Sequence, residues 1–170
     1  SRYINDGLRL LTELGAIDGN EDLTRIGKRL ARLPLDPGLA RVLLAAGDYG
    51  CLREMLIIVS ALSMQDPRER PLDMQEHADE AHARFHDERS DFMTLLELWE
   101  FFDQHARMLG AGKLHKLCRQ NFLSYTRMRE WREVHEQLAE LAGDPGRHAH
   151  TGPAAYDKIH MALITGFLSH

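Results

Sequence analysis

The sequence predicts an all-α protein, a multi-helix bundle, and three observations carry that prediction. Apolar residues recur at helical spacing in one stripe after another, from Ile4 to Phe167. Helix-start and helix-stop residues punctuate the stripes, above all Gly15, Pro34, Asp36-Pro37 and Ser90. Strand-like pattern is confined to one place, where Asp18-Gly19-Asn20-Glu21-Asp22 can close a short β-hairpin between Ala16-Ile17 and Leu23-Thr24. At 170 residues and 44% hydrophobic, the chain has enough apolar surface to enclose a core.

The first helix places Ile4, Leu8, Leu11 and Leu14 on one face and closes at Gly15. After the hairpin or loop, Thr24 caps a basic helix through Ile26, Leu30 and Leu33, and Pro34 ends it. Asp36 is the next N-cap, with Pro37 at the first helical position. Leu39, Val42, Leu43 and Ala46 stripe that helix up to a break at Gly47–Gly50. Leu52, Met55, Leu56, Val59 and Leu62 form the next stripe. Ile57 and Ile58 add apolar surface opposite, so this helix is expected to be enclosed. A polar stretch with Pro67 and Pro71 leads to a charged helix from about Met74 to Asp87. A more apolar helix starts near Ser90, with Phe92, Leu95, Leu96, Trp99 and Phe102 on one side. One long helix is expected over Lys113 to Leu141, a Gly/Pro/His loop over 143–153, and a last helix striped by Tyr156, Ile159, Leu163, Ile164 and Phe167.

Composition narrows the function classes. With 21 basic against 26 acidic residues, the net charge of −5 excludes a general polyanion binder, so any nucleic-acid contact must come from a local basic patch. Cys51 and Cys118 stand far apart, outside metal-ligand spacing, and point to a reducing compartment. The apolar run Met55–Leu62 is too short to cross a bilayer. The expected location is cytoplasmic, with no membrane partner. Because the chain opens on Ser1 and runs straight into helical pattern, it reads as a piece of a longer protein.

No catalytic or metal-binding set emerges. Asp79-Glu80-Ala81-His82 spells the DEAH string of an ATPase, but a Walker-B acid belongs at the end of a buried strand facing a phosphate loop. Here the string lies in a polar helical stretch, and no G-x-x-x-x-G-K-[ST] occurs in the chain. His82 and His86 are four apart on one expected helix face, without a third ligand at a telling distance. The long helix is more informative. Lys113, Lys116, Arg119, Arg127, Arg129 and Arg132 are spread along it, among Asn121, Ser124, Tyr125 and Trp131. Asn121 falls in the middle of the apolar face of Leu114, Leu117, Tyr125 and Met128, so its amide needs a partner. Two readings stand: a track for single-stranded RNA, with cations on phosphates and an amide and aromatic near bases, or a solvated face around a satisfied core Asn.

Several motifs in order resemble one family. They are L-T-x-x-G-x-x-L-A-x-L-P-x-D-P over 23–37, Cys51…Glu54…Ile57–Ser63, Pro67-Arg68-Glu69-Arg70-Pro71, and Ala78-Asp79…His82…Phe85…Ser90-Asp91-Phe92. Cys118-Arg119-Gln120-Asn121-Phe122-Leu123-Ser124-Tyr125 and the ending Tyr156…Gly166-Phe167-Leu168-Ser169-His170 continue the series. Together they resemble the helicase-associated HA2 (ratchet-like) region of DEAH/RHA-family ATP-dependent RNA helicases, in the bacterial HrpA-type branch. Where eukaryotic members usually carry W-C-x-x-N-F, this chain has Leu117 in place of the Trp.

The resemblance implies the end of a winged helix over 1–35, an HA2 bundle over 36–142, a loop over 143–153, and a final helix over 154–170 leading towards an OB-fold. It implies that two RecA-like motor domains of the same polypeptide bind ATP and Mg²⁺, while this segment holds no cofactor of its own. The segment would be non-catalytic, closing a tunnel over single-stranded RNA as the motor moves 3′ to 5′. The implied grip is Lys116, Arg119, Asn121, Tyr125 and Arg127; Arg25, Lys28, Arg29 and Arg32 would dock a motor domain or touch RNA. The alternative is a helical interaction module that docks motor domains or an activator without contacting RNA.

Overall fold

The computed structural model describes residues 35–142 and 156–168. The hairpin, the basic cluster Arg25, Lys28, Arg29 and Arg32, and the loop 143–153 therefore lie outside the described residues, as does the expected winged-helix end apart from Leu35. Among the described residues there are seven helices and no strand: α1 Pro37–Tyr49, α2 Leu52–Leu62, α3 Gln75–Ala83, α4 Asp91–Met108, α5 Ala111–Gln120, α6 Tyr125–Leu141 and α7 Tyr156–Leu168. The all-α reading holds.

Local chemistry sets the ends of these helices. Asp36 Oδ1 accepts from the Gly38 amide at 2.8 Å, with Pro37 in the first turn. The α1 helix runs through Gly47 and stops where Gly50, at φ 72, takes the left-handed cap. Ser90 Oγ accepts from the Met93 amide at 3.3 Å and starts α4.

The described residues divide into two compact units, one holding 35–59, 136–142 and 156–168, the other Ser60–His135. In the first, α1 packs on α7, and Val42, Leu43 and Ala46 of the one and Ile159, Ala162 and Leu163 of the other are buried. Gly166 permits that approach, because a Cβ there would stand 2.7 Å from the backbone of Val42. Tyr49 Oη and Thr165 Oγ1 meet at 3.4 Å across the same pair. Every residue of α2 from Glu54 to Ala61 is buried, which makes it the enclosed helix its two-sided apolar pattern predicts. In the second unit, Trp99 and Trp131 meet edge-on at 5.3 Å, and Trp131 Nε1 donates to Ser60 Oγ at 2.9 Å.

Two expectations need correction. The charged helix is shorter than Met74–Asp87: α3 ends at Ala83, followed by turn bonds from Phe85 to His82 and from His86 to Ala83. His86 thus lies past the helix, and the shared face expected for His82 and His86 does not exist. The long helix over 113–141 is two helices, α5 and α6, parted by Asn121–Ser124. Phe122 sits there at φ 53, the left-handed region that ends a helix without any Gly or Pro. Ser124 then caps α6, its Oγ accepting from the Arg127 amide at 3.2 Å.

Candidate nucleic-acid interface

The helix α5 has the sequence Ala-Gly-Lys-Leu-His-Lys-Leu-Cys-Arg-Gln and carries no acid. Leu114 and Cys118, one turn apart, are buried, while Leu117 is half-buried. The opposite side is exposed and bears Lys113, Lys116 and Arg119 in steps of three, an oblique ridge across the helix surface. None of the three forms an ion pair among the described residues. Most other cations of this unit are tied down. Arg68 spans Asp66 (2.9 Å) and Asp91 (3.0 Å), Arg70 grips Asp79 (2.7 Å), and Arg89 grips Asp87 (2.8 Å). Arg107 and Arg132 both reach Asp103, and Arg129 lies 4.0 Å from Glu133.

The remaining candidates divide around the break. Tyr125 opens α6, half-buried, with its ring 4.9 Å from that of His115 and the Arg129 guanidinium 5.7 Å from its centroid. That contact joins the exposed side of α5 to the start of α6. Arg127 turns elsewhere: its Nη1 donates to the Asp66 carbonyl at 3.1 Å. Asn121 is only 7% exposed, and both ends of its amide are engaged. Its Nδ2 donates to the Leu117 carbonyl at 2.8 Å, and its Oδ1 accepts from Arg84 Nη1 at 3.1 Å.

The family-like motifs turn out to be wired to one another. The Arg68 and Arg70 of one motif pair with Asp91 and Asp79 of the next. His82 Nε2 donates to the Phe122 carbonyl at 2.9 Å, and the Glu69 amide donates to the same oxygen at 2.8 Å. The Ser124 amide returns a bond to the Pro67 carbonyl at 2.8 Å, closing an antiparallel bridge between Arg68 and Leu123. Arg84 lies over the rings of Phe85 and Phe101 at 5.2 and 4.8 Å while it reaches Asn121. Sequence reasoning passed over Arg84 and His115, since their roles arise only from contacts distant in sequence. The break itself carried a readable signal, the cap residue Ser124 three places before Arg127.

Charge and burial shape the acids and thiols. The Arg70 hydrogen bonds hold the Asp79 carboxyl below its ordinary range, and those from Arg89 bring Asp87 down to about 2. Burial alone would raise Asp66, but bonds from Arg68 outweigh it and the net shift is downward. Burial pushes the thiols of Cys51 and Cys118 up to about 11. The DEAH-spelling string lies on the helix α3 with Asp79 engaged by Arg70, a placement that does not fit a nucleotide-bound Mg²⁺. Among the described residues no cluster of three His, Cys, Asp or Glu could hold a metal, and no helix is long and apolar enough to cross a membrane.

Comparison with known proteins agrees with these motifs. Residues 36–95 match the helicase associated domain (HA2), ratchet-like, and residues 7–35 the helicase associated domain (HA2), winged-helix. The chain is 47% identical over 99% of its length to the ATP-dependent RNA helicase HrpA of Escherichia coli, of which it spans 13%. It is 42% identical to the HrpA homolog of Haemophilus influenzae, spanning 14% of it over 99% of this chain. To the DExH-box ATP-dependent RNA helicase DExH1 of Arabidopsis thaliana it is 33% identical over 97% of its length, spanning 17% of that relative. With ratchet-like and winged-helix matches that adjoin and together take in just over half of the chain, it belongs to the helicase-associated HA2 family.

Proposed function

We propose that this chain is the accessory, nucleic-acid-gripping module of an ATP-dependent 3′-to-5′ RNA helicase, closing the tunnel for single-stranded RNA over RecA-like motor domains. The observation that carries the reading is the cationic ridge of α5. In a chain of net charge −5, three exposed cations on a ten-residue helix without an acid are left unpaired by the described residues. Cations placed this way are free to exchange counterions for phosphates, the step that supplies most sequence-independent affinity.

In this reading Lys116 and Arg119, with Lys113, hold phosphates, and Tyr125 offers its ring to a base beside them. Arg127 supports the contact from the start of α6, and Asn121 acts from inside, through the turn it anchors. ATP and Mg²⁺ belong to the motor domains, the partners of this module along with the OB-fold and the RNA. The buried thiols of Cys51 and Cys118 suit a reducing cytoplasm.

A second reading, docking on motor domains or an activator without RNA contact, draws on α7, where Met161, Ile164 and Phe167 are 46%, 49% and 40% exposed. One titration separates the two. The chain should bind a labelled single-stranded RNA weakly, with log affinity falling about 0.7 per decade of salt for each phosphate held. The double variant Lys116→Glu/Arg119→Glu should lose that binding while its thermal unfolding stays in place. Unchanged binding in that variant would remove the RNA reading and leave docking.

A further inference from the structure

We propose that His82 and Arg84 are positioning residues for the RNA grip: they hold the turn between α5 and α6 and so set the direction in which the cationic ridge points. This rests on the RNA-gripping reading above. The turn Asn121–Ser124 has neither Gly nor Pro, yet Phe122 stands at φ 53, which an L side chain rarely adopts. The last turn of α5 supplies part of the hold, the Phe122 and Leu123 amides donating to the Arg119 and Cys118 carbonyls at 3.2 and 2.9 Å, and groups outside the turn supply the rest. Two of the bonds from outside are backbone to backbone, from Glu69 to Phe122 and from Ser124 to Pro67, and tolerate many side chains. The other two come from side chains at the end of α3: His82 on the Phe122 carbonyl and Arg84 on the Asn121 amide oxygen.

The helix that supplies them does little else for packing. Along α3 only Ala78 is buried, and Asp79 faces outward to Arg70. Its C-terminal end nevertheless delivers a ring nitrogen and a guanidinium to one turn. Arg84 is itself held over Phe85 and Phe101, so its reach to Asn121 is fixed by ring contacts.

The leverage is large because α5 is seated by few side chains, with Leu114 and Cys118 alone fully buried. At 1.5 Å per residue, Lys113 lies about 12 Å along the helix from Asn121, so a swing of about 20° at the turn moves it by roughly 4 Å. A phosphate contact does not survive such a shift.

The test uses the whole chain, a fluorescein-labelled oligouridine, and anisotropy titrations over a salt series, with thermal unfolding of every variant. Arg84→Met and Asn121→Ala should each weaken binding by about three- to tenfold, and the double variant should be no worse than the weaker-binding single, as expected for residues acting through one contact. The salt slope should fall by the same amount in all three, about 0.7 for the one phosphate contact that the swing removes. His82→Ala should weaken binding to a similar degree, and His82→Gln, which can still donate to the Phe122 carbonyl, should restore it. The His82 pair also decides the matter if Arg84→Met does not fold.

Wild-type affinity in Arg84→Met and His82→Ala, with only a lowered melting temperature, would overturn the proposal. So would a reduced salt slope in Arg84→Met that Asn121→Ala does not share, which would make Arg84 a direct phosphate contact. Lys116→Glu/Arg119→Glu reports separately on the parent reading: if it binds like wild type, the RNA grip itself is absent and the positioning role falls with it.

Discussion

Two groups of cations precede the turn at Asn121–Ser124, and they are held in opposite ways. Between Asp66 and Asp91 the cations Arg68, Arg70 and Arg89 each meet a carboxylate at 3.0 Å or less. On α5, Lys113, Lys116 and Arg119 meet none among the described residues. In the first group Arg68 and Arg70 reach across to other segments of the unit and Arg89 closes on its near neighbour Asp87; the second group is left available. The difference teaches that cation count is a poor guide to a nucleic-acid face. What matters is which cations the fold has already neutralised, because a paired guanidinium must give up its carboxylate before it can hold a phosphate.

The comparison is broken most severely by reversing the free group. Lys113→Glu/Lys116→Glu/Arg119→Glu should lower RNA affinity by about a hundredfold or more at low salt, on the order of 1 kcal/mol per contact. Its melting temperature should stay close to wild type. Removing the best-tied cation should do the reverse. Arg68→Ala deletes charge-assisted bonds from a largely buried guanidinium, and should cost about 1–2 kcal/mol of stability in denaturant titrations. The salt slope of RNA binding should not change.

Acid sharpens the contrast on a smaller scale. Asp66, Asp79 and Asp87 are held below their ordinary range in the fold, so their contribution is complete above the unfolded value near 4 and is lost as pH falls through the folded values. Melting temperature should therefore drop below about pH 4, with the Asp87 part lost near pH 2. Alkali acts through the thiols with the opposite sign. Cys51 and Cys118 titrate at about 11 against an ordinary value of 9.0, so stability should hold to about pH 9 and fall between there and about pH 11. Least of all should follow from Arg107→Ala, an exposed i,i+4 partner of Asp103, at about 0.3–0.5 kcal/mol with RNA binding intact.

Much of this was legible before the fold was known. Asp36-Pro37 and Ser90 act as the caps their side chains suit, because capping is settled within one turn of chain. The stripes of α1, α2 and α4 bury Val42, Met55, Leu95, Trp99 and Phe102, since helical periodicity fixes a face without reference to what covers it. Lys113, Lys116 and Arg119 were visible only as part of a cation series spread along the expected long helix, with Arg127, Arg129 and Arg132. The family, too, could be recognised from ordered motifs such as Pro67–Pro71 and Asn121–Tyr125.

The long helix was misread because periodicity runs on through Asn121 while the break is stabilised in part from elsewhere. No Gly or Pro marks Phe122 for the left-handed region; its amide and that of Leu123 close on the Arg119 and Cys118 carbonyls, while the amide of Glu69 and the ring of His82, distant in sequence, hold its carbonyl. The core Asn was rightly expected to need a partner, but that the partner is Arg84 could not be read from spacing. By itself, then, the sequence determined the helices, their caps, their buried faces and the family, all properties settled over a few residues or by composition. Only the tertiary structure decided which cations are paired and which are free, and where the last long helix breaks, because those outcomes depend on side chains that folding alone brings together.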